Sequence, residues 1–407
     1  MSNTAKRVVI VGTGHAGGAA AALLRQYGWQ GPVTLIGPEP MVPYQRPPLS
    51  KAWLKGEHEL ADLLLRPATF YPDNQIGLRL GCEVAAIDRV AGCVALSNGE
   101  RVAYDHLIIA TGCHARALPI SGNQLEGVVA LRTLADADRL RAQLRAGTRI
   151  AIVGAGYIGL EVAASARSLG AEVVVIEREA RVLPRVASTP LSEFFRQRHT
   201  DAGVRIISGA AVEAFDGERQ RVAAIRLSDG EEIACDAVLV AIGGAPNEAL
   251  ASAAGLECEN GIRVDLAARP ADPAIHAIGD CTHRPVPLYQ RTCRLESVPN
   301  ALEQAKQAAA DLCGRPPPVP EVPWFWSDQY DLKLIIVGVA QEHDTVVVRG
   351  DPAARSFSAC YLRGGELIAV DTINSAKDQL AARKLIAAHA RPDVSKLANP
   401  AIPLKDC

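Results

Sequence analysis

Two stretches of this chain carry the same device. Residues 8–18 read VVIVGTGHAGG and residues 150–161 read IAIVGAGYIGLE. In each, a run of β-branched residues of the kind found in a strand buried on both faces empties into glycines. The spacing G-x-G-x-x-G is met by Gly12, Gly14 and Gly17 and again by Gly154, Gly156 and Gly159, with Ala16 and Ile158 inside the two turns. The first glycine of such a set makes the turn, the second lets backbone approach a pyrophosphate, and the third lets the next helix pack on the strand. The first amides of that helix then face the phosphates. One match alone is weak, because glycine turns after strands are common. Two in one chain predict two dinucleotide-binding units.

Each unit should also place an acid roughly 20 residues further on to hold an adenosine ribose. Glu177, which ends the run EVVVIE, takes that place in the second unit. In the first, the strand ends at Gly37, Pro38 stands where an acid is expected, and Glu39 follows as a provisional ribose ligand.

The 407 residues leave room for two or three domains. A formal charge of −2 offers no electrostatic case for nucleic acid, and no stretch approaches the ~18 apolar residues of a membrane span. Lys6 and Arg7 ahead of an Ala-rich stretch superficially resemble a secretory leader, but glycine spacing has no role in one. The ten cysteines include no C-x-x-C pair, so zinc or iron–sulfur ligation is not expected; scattered thiols suit a reducing cytoplasm. His199, His276 and His283 show no ligand spacing and read as structural.

Strand and helix signals alternate to about residue 250, predicting an α/β chain with helix-covered parallel sheets. HLIIATG (106–112) and AVLVAIGGAPN (237–247) are further strands stopping at glycine, which brings Thr111, Gly112 and Gly243 toward a ligand. AIHAIGDCT (274–282) ends at Asp280. A compact unit over 114–245 would interrupt a first domain made of 1–113 and 246–323. A Pro-rich linker, GRPPPVPEVPWFW (314–326), leads into a C-terminal domain over 324–407 with strand signals and a helix near 376–389.

The set GTGHAG, PYQRPPLSK (43–51), IIATG, GAGYIGLE, AIGDC, ESVPNALEQA (296–305) and PWFWSDQY (323–330) resembles the FAD-dependent, NADH-using ferredoxin reductases of bacterial oxygenase systems along essentially the whole chain. The resemblance implies two Rossmann-like domains in a glutathione-reductase-like arrangement, plus a C-terminal α+β domain. It puts FAD on the first fingerprint and NADH on the second, with electrons leaving singly to a [2Fe–2S] ferredoxin that serves a haem monooxygenase or a Rieske oxygenase. It further implies Gly14 and Ala16 at the FAD pyrophosphate, Val84 and Arg132 near the adenine end or ring edge, Asp280 on the ribityl chain, and Val298 and Trp326 at the flavin's pyrimidine edge.

Lys51, by default a surface lysine, is placed by the resemblance beside the flavin and paired with Glu161. Glu161 otherwise reads as an acid on the first turn of its helix, where the helix dipole favours a carboxylate. Trp324 and Trp326 are ordinary core candidates or a flavin cover. RPPLSK carries no thiol where disulfide-reducing relatives need one. Arg66, Lys306, Arg383 and Lys405 are implied as basic positions for docking an acidic ferredoxin. A rubredoxin reductase, or an NADH-sensing flavoprotein like the apoptosis-inducing factors, are the competing functions.

Overall fold

The computed structural model describes residues 6–407; residues 1–5 of the expected first segment lie outside the described residues. The described residues form two compact units. One runs through Gln45 and resumes at Leu60–His114 and Ala245–Glu321; the other comprises Arg46–Glu59, Ala115–Gly244 and Val322–Cys407. No helix among the described residues is long and apolar enough to cross a membrane.

The fold is of the expected α/β class. In the first unit the fingerprint strand Val8–Val11 is buried at every position and lies between Val33–Gly37 on one side and His106–Ile109 on the other. Ile76–Leu80 and Ile275–Ala277 extend the sheet outward, all strands running parallel. A strand covered on both faces must be apolar throughout, which is why the run VVIV shows no alternation. Helices His15–Gln26 and Val298–Leu312 cover one face, burying Ala20, Ala21, Ala305 and Ala308 where they meet, since small side chains let two backbones approach closely. A small antiparallel sheet begins with Val84–Asp88.

The second unit repeats the plan. Arg149–Val153 lies between Glu172–Glu177 and Ala237–Val240, with Arg205–Ser208 and Val128–Ala130 outermost, again all parallel. In both sheets the chain leaves the central strand first to one side and later to the other. The loops at its carboxyl end therefore diverge into a crevice, which is where open α/β sheets bind ligands.

The C-terminal residues form an antiparallel sheet in the order Trp324–Gln329, Leu332–Gly338, Glu366–Ile373, Ser356–Arg363, Thr345–Asp351, followed by helix Ala376–Ala387. Its core holds one buried acid. Asp371, 1% exposed, accepts from the Tyr361 hydroxyl at 2.5 Å, and burial pushes its carboxyl up to about 7. Arg349, also buried, ties down the last stretch by donating to the carbonyls of Leu397, Asn399 and Ile402.

Candidate functional site

The glycines of the two fingerprints divide by physical role, and they divide identically. Gly12 and Gly154 have φ of +121° and +106°. A Cβ on Gly12 would also run into the carbonyl oxygen of Ala110, and one on Gly154 into that of Ala241 at 2.5 Å. A Cβ on Gly17 or Gly159 would strike the carbonyl of the first glycine of its own turn. Packing alone accounts for those four. Gly14 and Gly156 are different: both have negative φ, and a Cβ on either would meet nothing within 4 Å. The fold does not require glycine there, so the open space beyond each is the feature left to explain.

Each middle glycine is also the N-cap of its helix, His15–Gln26 or Tyr157–Ser168. Neither cap has a side-chain hydrogen bond and neither first turn holds an acid. Helix Leu134–Gln143, by contrast, is closed by a capping box of Thr133 and Asp136. Uncapped amides with the positive end of the helix dipole, beside open space, fit a pyrophosphate. Both turns therefore suit a dinucleotide.

Around the second turn, Glu177 is nearly buried and preset. Its Oε2 accepts from the Ala155 amide at 2.8 Å and its Oε1 from the Glu179 amide at 3.0 Å, which leaves lone pairs for a ribose. Ile158 is 45% exposed and Gly243 has φ of +105°. Around the first turn the sheet register revises the expectation for Pro38. Val11 pairs with Ile36 as Val153 pairs with Ile176, so Gly37, and not Pro38, corresponds to Glu177. A Cβ on Gly37 would clash with the Thr13 side chain, so Thr13 occupies the space that an acid fills in the second unit. Glu39 stands further out, its Oε2 accepting from Tyr44 at 2.5 Å.

Also in the first unit, Ala16 is buried beside Gly279, and Asp280 accepts from the Cys113 thiol at 3.4 Å. Thr111 and Asn247 exchange hydrogen bonds of 2.8 Å, ordering the loop that carries Gly112, whose φ is +67°. Val84 is half-buried at the start of its strand. Val298 opens helix Val298–Leu312 behind the N-cap Ser297. Cys281 is fully buried, its thiol pushed up by desolvation; all ten cysteines are free.

The second unit brings together residues more than 100 positions apart. Lys51 Nζ lies 2.5 Å from Glu161 Oε2, with side-chain exposures of 17% and 3%. Ser50 donates to the same oxygen at 2.6 Å and Ser327 to Oε1 at 2.7 Å. Pro47 and Pro48 start the short turn Pro47–Ser50, and the Pro47 carbonyl accepts from Lys51 at 3.1 Å. Glu161 lies beyond the first turn of its helix, so the helix-start reading of that acid does not hold. A buried carboxylate with an ammonium and two hydroxyls is a fixed charge with a set orientation. Ser50 and Ser327 were missed from sequence, although both lie in quoted motifs. The alternation of strand Trp324–Gln329 was the available signal, since a serine beside a half-exposed Trp326 must face inward.

Trp326 and Trp324 lie 5.6 Å apart between ring centroids, and the Arg383 guanidinium sits 4.4 Å over the Trp324 ring. Arg132 donates its amide to Asp136 at 3.1 Å. Of the other basic positions, Arg66 and Lys405 are exposed and Lys306 pairs with Glu321 at 3.1 Å. Arg66 and Lys306 belong to the first unit, Arg383 and Lys405 to the second.

Comparison with known proteins covers nearly the whole chain. Residues 6–305 match the family described as pyridine nucleotide-disulphide oxidoreductase, and residues 324–407 match one described as reductase C-terminal. The chain is 50% identical to a probable ferredoxin reductase of Castellaniella defragrans over 94% of both chains. It is 42% identical to putidaredoxin reductase of Pseudomonas putida over 99% of this chain and 97% of that one. Among solved structures it resembles the covalent complex of putidaredoxin reductase with putidaredoxin, with a TM-score of 0.96 at 42% identity, covering 98% of this chain and 97% of that chain.

Proposed function

The chain belongs to the pyridine nucleotide-disulphide oxidoreductase family, among its FAD-dependent ferredoxin reductases, and from that premise we propose that it carries electrons from NADH through FAD to a [2Fe–2S] ferredoxin of an oxygenase system. The observation that carries this reading is the pair of open, uncapped turns at Gly14 and Gly156. The first-unit turn, with Ala16, Glu39, Val84, Thr111, Gly112, Asp280 and Val298, serves FAD. The second-unit turn, with Ile158, Glu177 and Gly243, serves NADH. Bound FAD supplies what no side chain does, accepting a hydride and releasing electrons one at a time. Lys51 and Glu161 orient the reacting groups with a fixed charge pair, while Arg132 and Trp326 complete the flavin contacts. We assign the protein to the cytoplasm, a reading supported by its proposed use of NADH and its scattered free cysteines.

Glu177 sets the cofactor choice. A carboxylate already held by two amides accepts ribose hydroxyls but repels a 2′-phosphate. Arg178 is largely exposed and turned onto Glu179 at 3.2 Å, a weak surface pair. NADH is therefore expected to exceed NADPH in kcat/KM by roughly a hundredfold, and Glu177→Ser to shrink that ratio to within about tenfold. Equal values in the unaltered protein would remove Glu177 from this role.

Acidic ferredoxins suit basic docking positions, for which we propose Arg66, Lys306, Arg383 and Lys405. The reading is tested by following NADH-driven reduction of a panel of [2Fe–2S] ferredoxins and rubredoxins by the purified flavoprotein. A [2Fe–2S] protein is expected to be the best acceptor. A rubredoxin as best acceptor would make this a rubredoxin reductase, and failure of every acceptor despite flavin reduction would favour an NADH-sensing role.

A further inference from the structure

Behind Glu161 the second unit contains a run of buried polar side chains that leads away from the Lys51 pair. Ser327 donates to Glu161 Oε1 at 2.7 Å, Gln329 Nε2 donates to Ser327 Oγ at 3.1 Å, His199 Nε2 meets Gln329 Oε1 at 2.9 Å, and the Tyr330 hydroxyl meets His199 Nδ1 at 3.2 Å. Ser327, Gln329 and His199 are 0%, 1% and 0% exposed. At the outer end the Arg198 guanidinium lies 4.2 Å over the Tyr330 ring and pairs with Asp331 at 2.9 Å.

Chemistry fixes the direction of every link. The Glu161 carboxylate accepts only, so Ser327 must spend its proton on it. The serine oxygen then accepts from the Gln329 amide NH2, which turns the amide oxygen toward His199. His199 must therefore carry its proton on Nε2 and present Nδ1 as an acceptor to Tyr330. Burial pushes the His199 imidazole down to about 4, consistent with a neutral ring in that tautomer. Four aligned donors thus point at one carboxylate, and such chains polarise one another where water is excluded.

We propose that Ser327, Gln329 and His199 are positioning residues, a directional hydrogen-bond chain that holds the Glu161 carboxylate in place opposite Lys51 for hydride transfer. This rests on the function proposed above. A proton wire is the competing use of such a chain, but Gln329 argues against it: a proton crosses an amide only through its imidic acid form. The chain orients and stabilises a charge that stays where it is.

The test uses the flavin-loaded full chain carrying Ser327→Ala or Gln329→Glu, with Glu161→Gln as reference. Ser327→Ala removes the last donor. Gln329→Glu keeps the volume but offers Ser327 a rival acceptor, which turns its hydroxyl away from Glu161. In stopped flow each variant is expected to lower the limiting rate of flavin reduction by roughly tenfold, the worth of one hydrogen bond to a charge, with half-saturating NADH within about twofold of the unaltered protein. Independently, nitrogen NMR of histidine-labelled protein should show His199 as the neutral Nε2–H tautomer, and Gln329→Glu should shift it toward imidazolium. The inference is overturned if His199 carries its proton on Nδ1, or if both variants reduce flavin at the unaltered rate while Glu161→Gln is slow. If Glu161→Gln is itself unaffected, the role given to Glu161 fails first, and this inference with it.

Discussion

Glu161→Gln is expected to slow reduction of the bound flavin by NADH about a hundredfold, with the flavin content of the purified protein unchanged. The carboxylate is the common acceptor for Lys51, Ser50 and Ser327. An amide in its place offers one accepting oxygen, and its NH2 faces an ammonium or a hydroxyl already committed as a donor. Lys51, 17% exposed, is left without its counter-charge, and breaking one side of a buried pair costs about 3–5 kcal/mol. The lysine relieves that cost by moving, and small displacements at a reacting centre are expensive in rate. Stopped-flow absorbance of the flavin, together with the flavin-to-protein ratio, checks both halves. A variant reduced within twofold of the unaltered rate would return Glu161 to a structural role.

Gly14→Val and Gly156→Val should separate the two cofactors. Both positions have extended backbone and nothing within 4 Å of a Cβ, so each variant, compared in the flavin-free state, should fold with a Tm close to that of the flavin-free unaltered chain. What each loses is the approach of a pyrophosphate to the turn. Gly14→Val is expected to purify without flavin, its FAD affinity lowered at least about a hundredfold by side-chain atoms where phosphate must sit. Gly156→Val should purify yellow, accept electrons from dithionite, and stay oxidised at NADH concentrations that saturate the unaltered protein. Gly17→Val is the contrasting control: its side chain would enter the carbonyl of Gly12, so it should not yield folded protein. Full flavin in Gly14→Val would mean that the first turn does not hold FAD.

Much of this was legible because fingerprints are local. Strand, turn and helix are contiguous, and each glycine's role follows from its immediate neighbours, so VVIVGTGHAGG and IAIVGAGYIGLE announce their own geometry. The antiparallel C-terminal strands were legible for the same reason, as apolar runs separated by turns. The pairing of Lys51 with Glu161 was not, because no spacing rule links residues 110 apart; only resemblance suggested it. The correspondence of Gly37 with Glu177 depended on sheet register, which two sequences read side by side do not display. Ser327 lies on the strand face opposite its tryptophan neighbours, whose motif is the more conspicuous one. The partners of His199, Gln329 and Tyr330, lie some 130 residues away, beyond the reach of any spacing rule.

Two of the buried titratable groups of the second unit, Asp371 and His199, bear on acid tolerance. Asp371 holds its proton up to about pH 7 in the folded chain against 3.8 ordinarily, so between those values the native state carries a proton that the unfolded chain lacks, and stability falls as pH rises. His199 behaves oppositely: held down to about 4 against 6.5, it lacks a proton that the unfolded chain binds, and stability rises with pH over nearly the same interval. Each slope is about 1.4 kcal/mol per pH unit, and the signs cancel. Between roughly pH 4 and 6.5 the pair therefore leaves the folding equilibrium almost level. Replacing either one by a neutral isostere would tilt it: without Asp371 the fold would weaken on acidification, and without His199 it would strengthen.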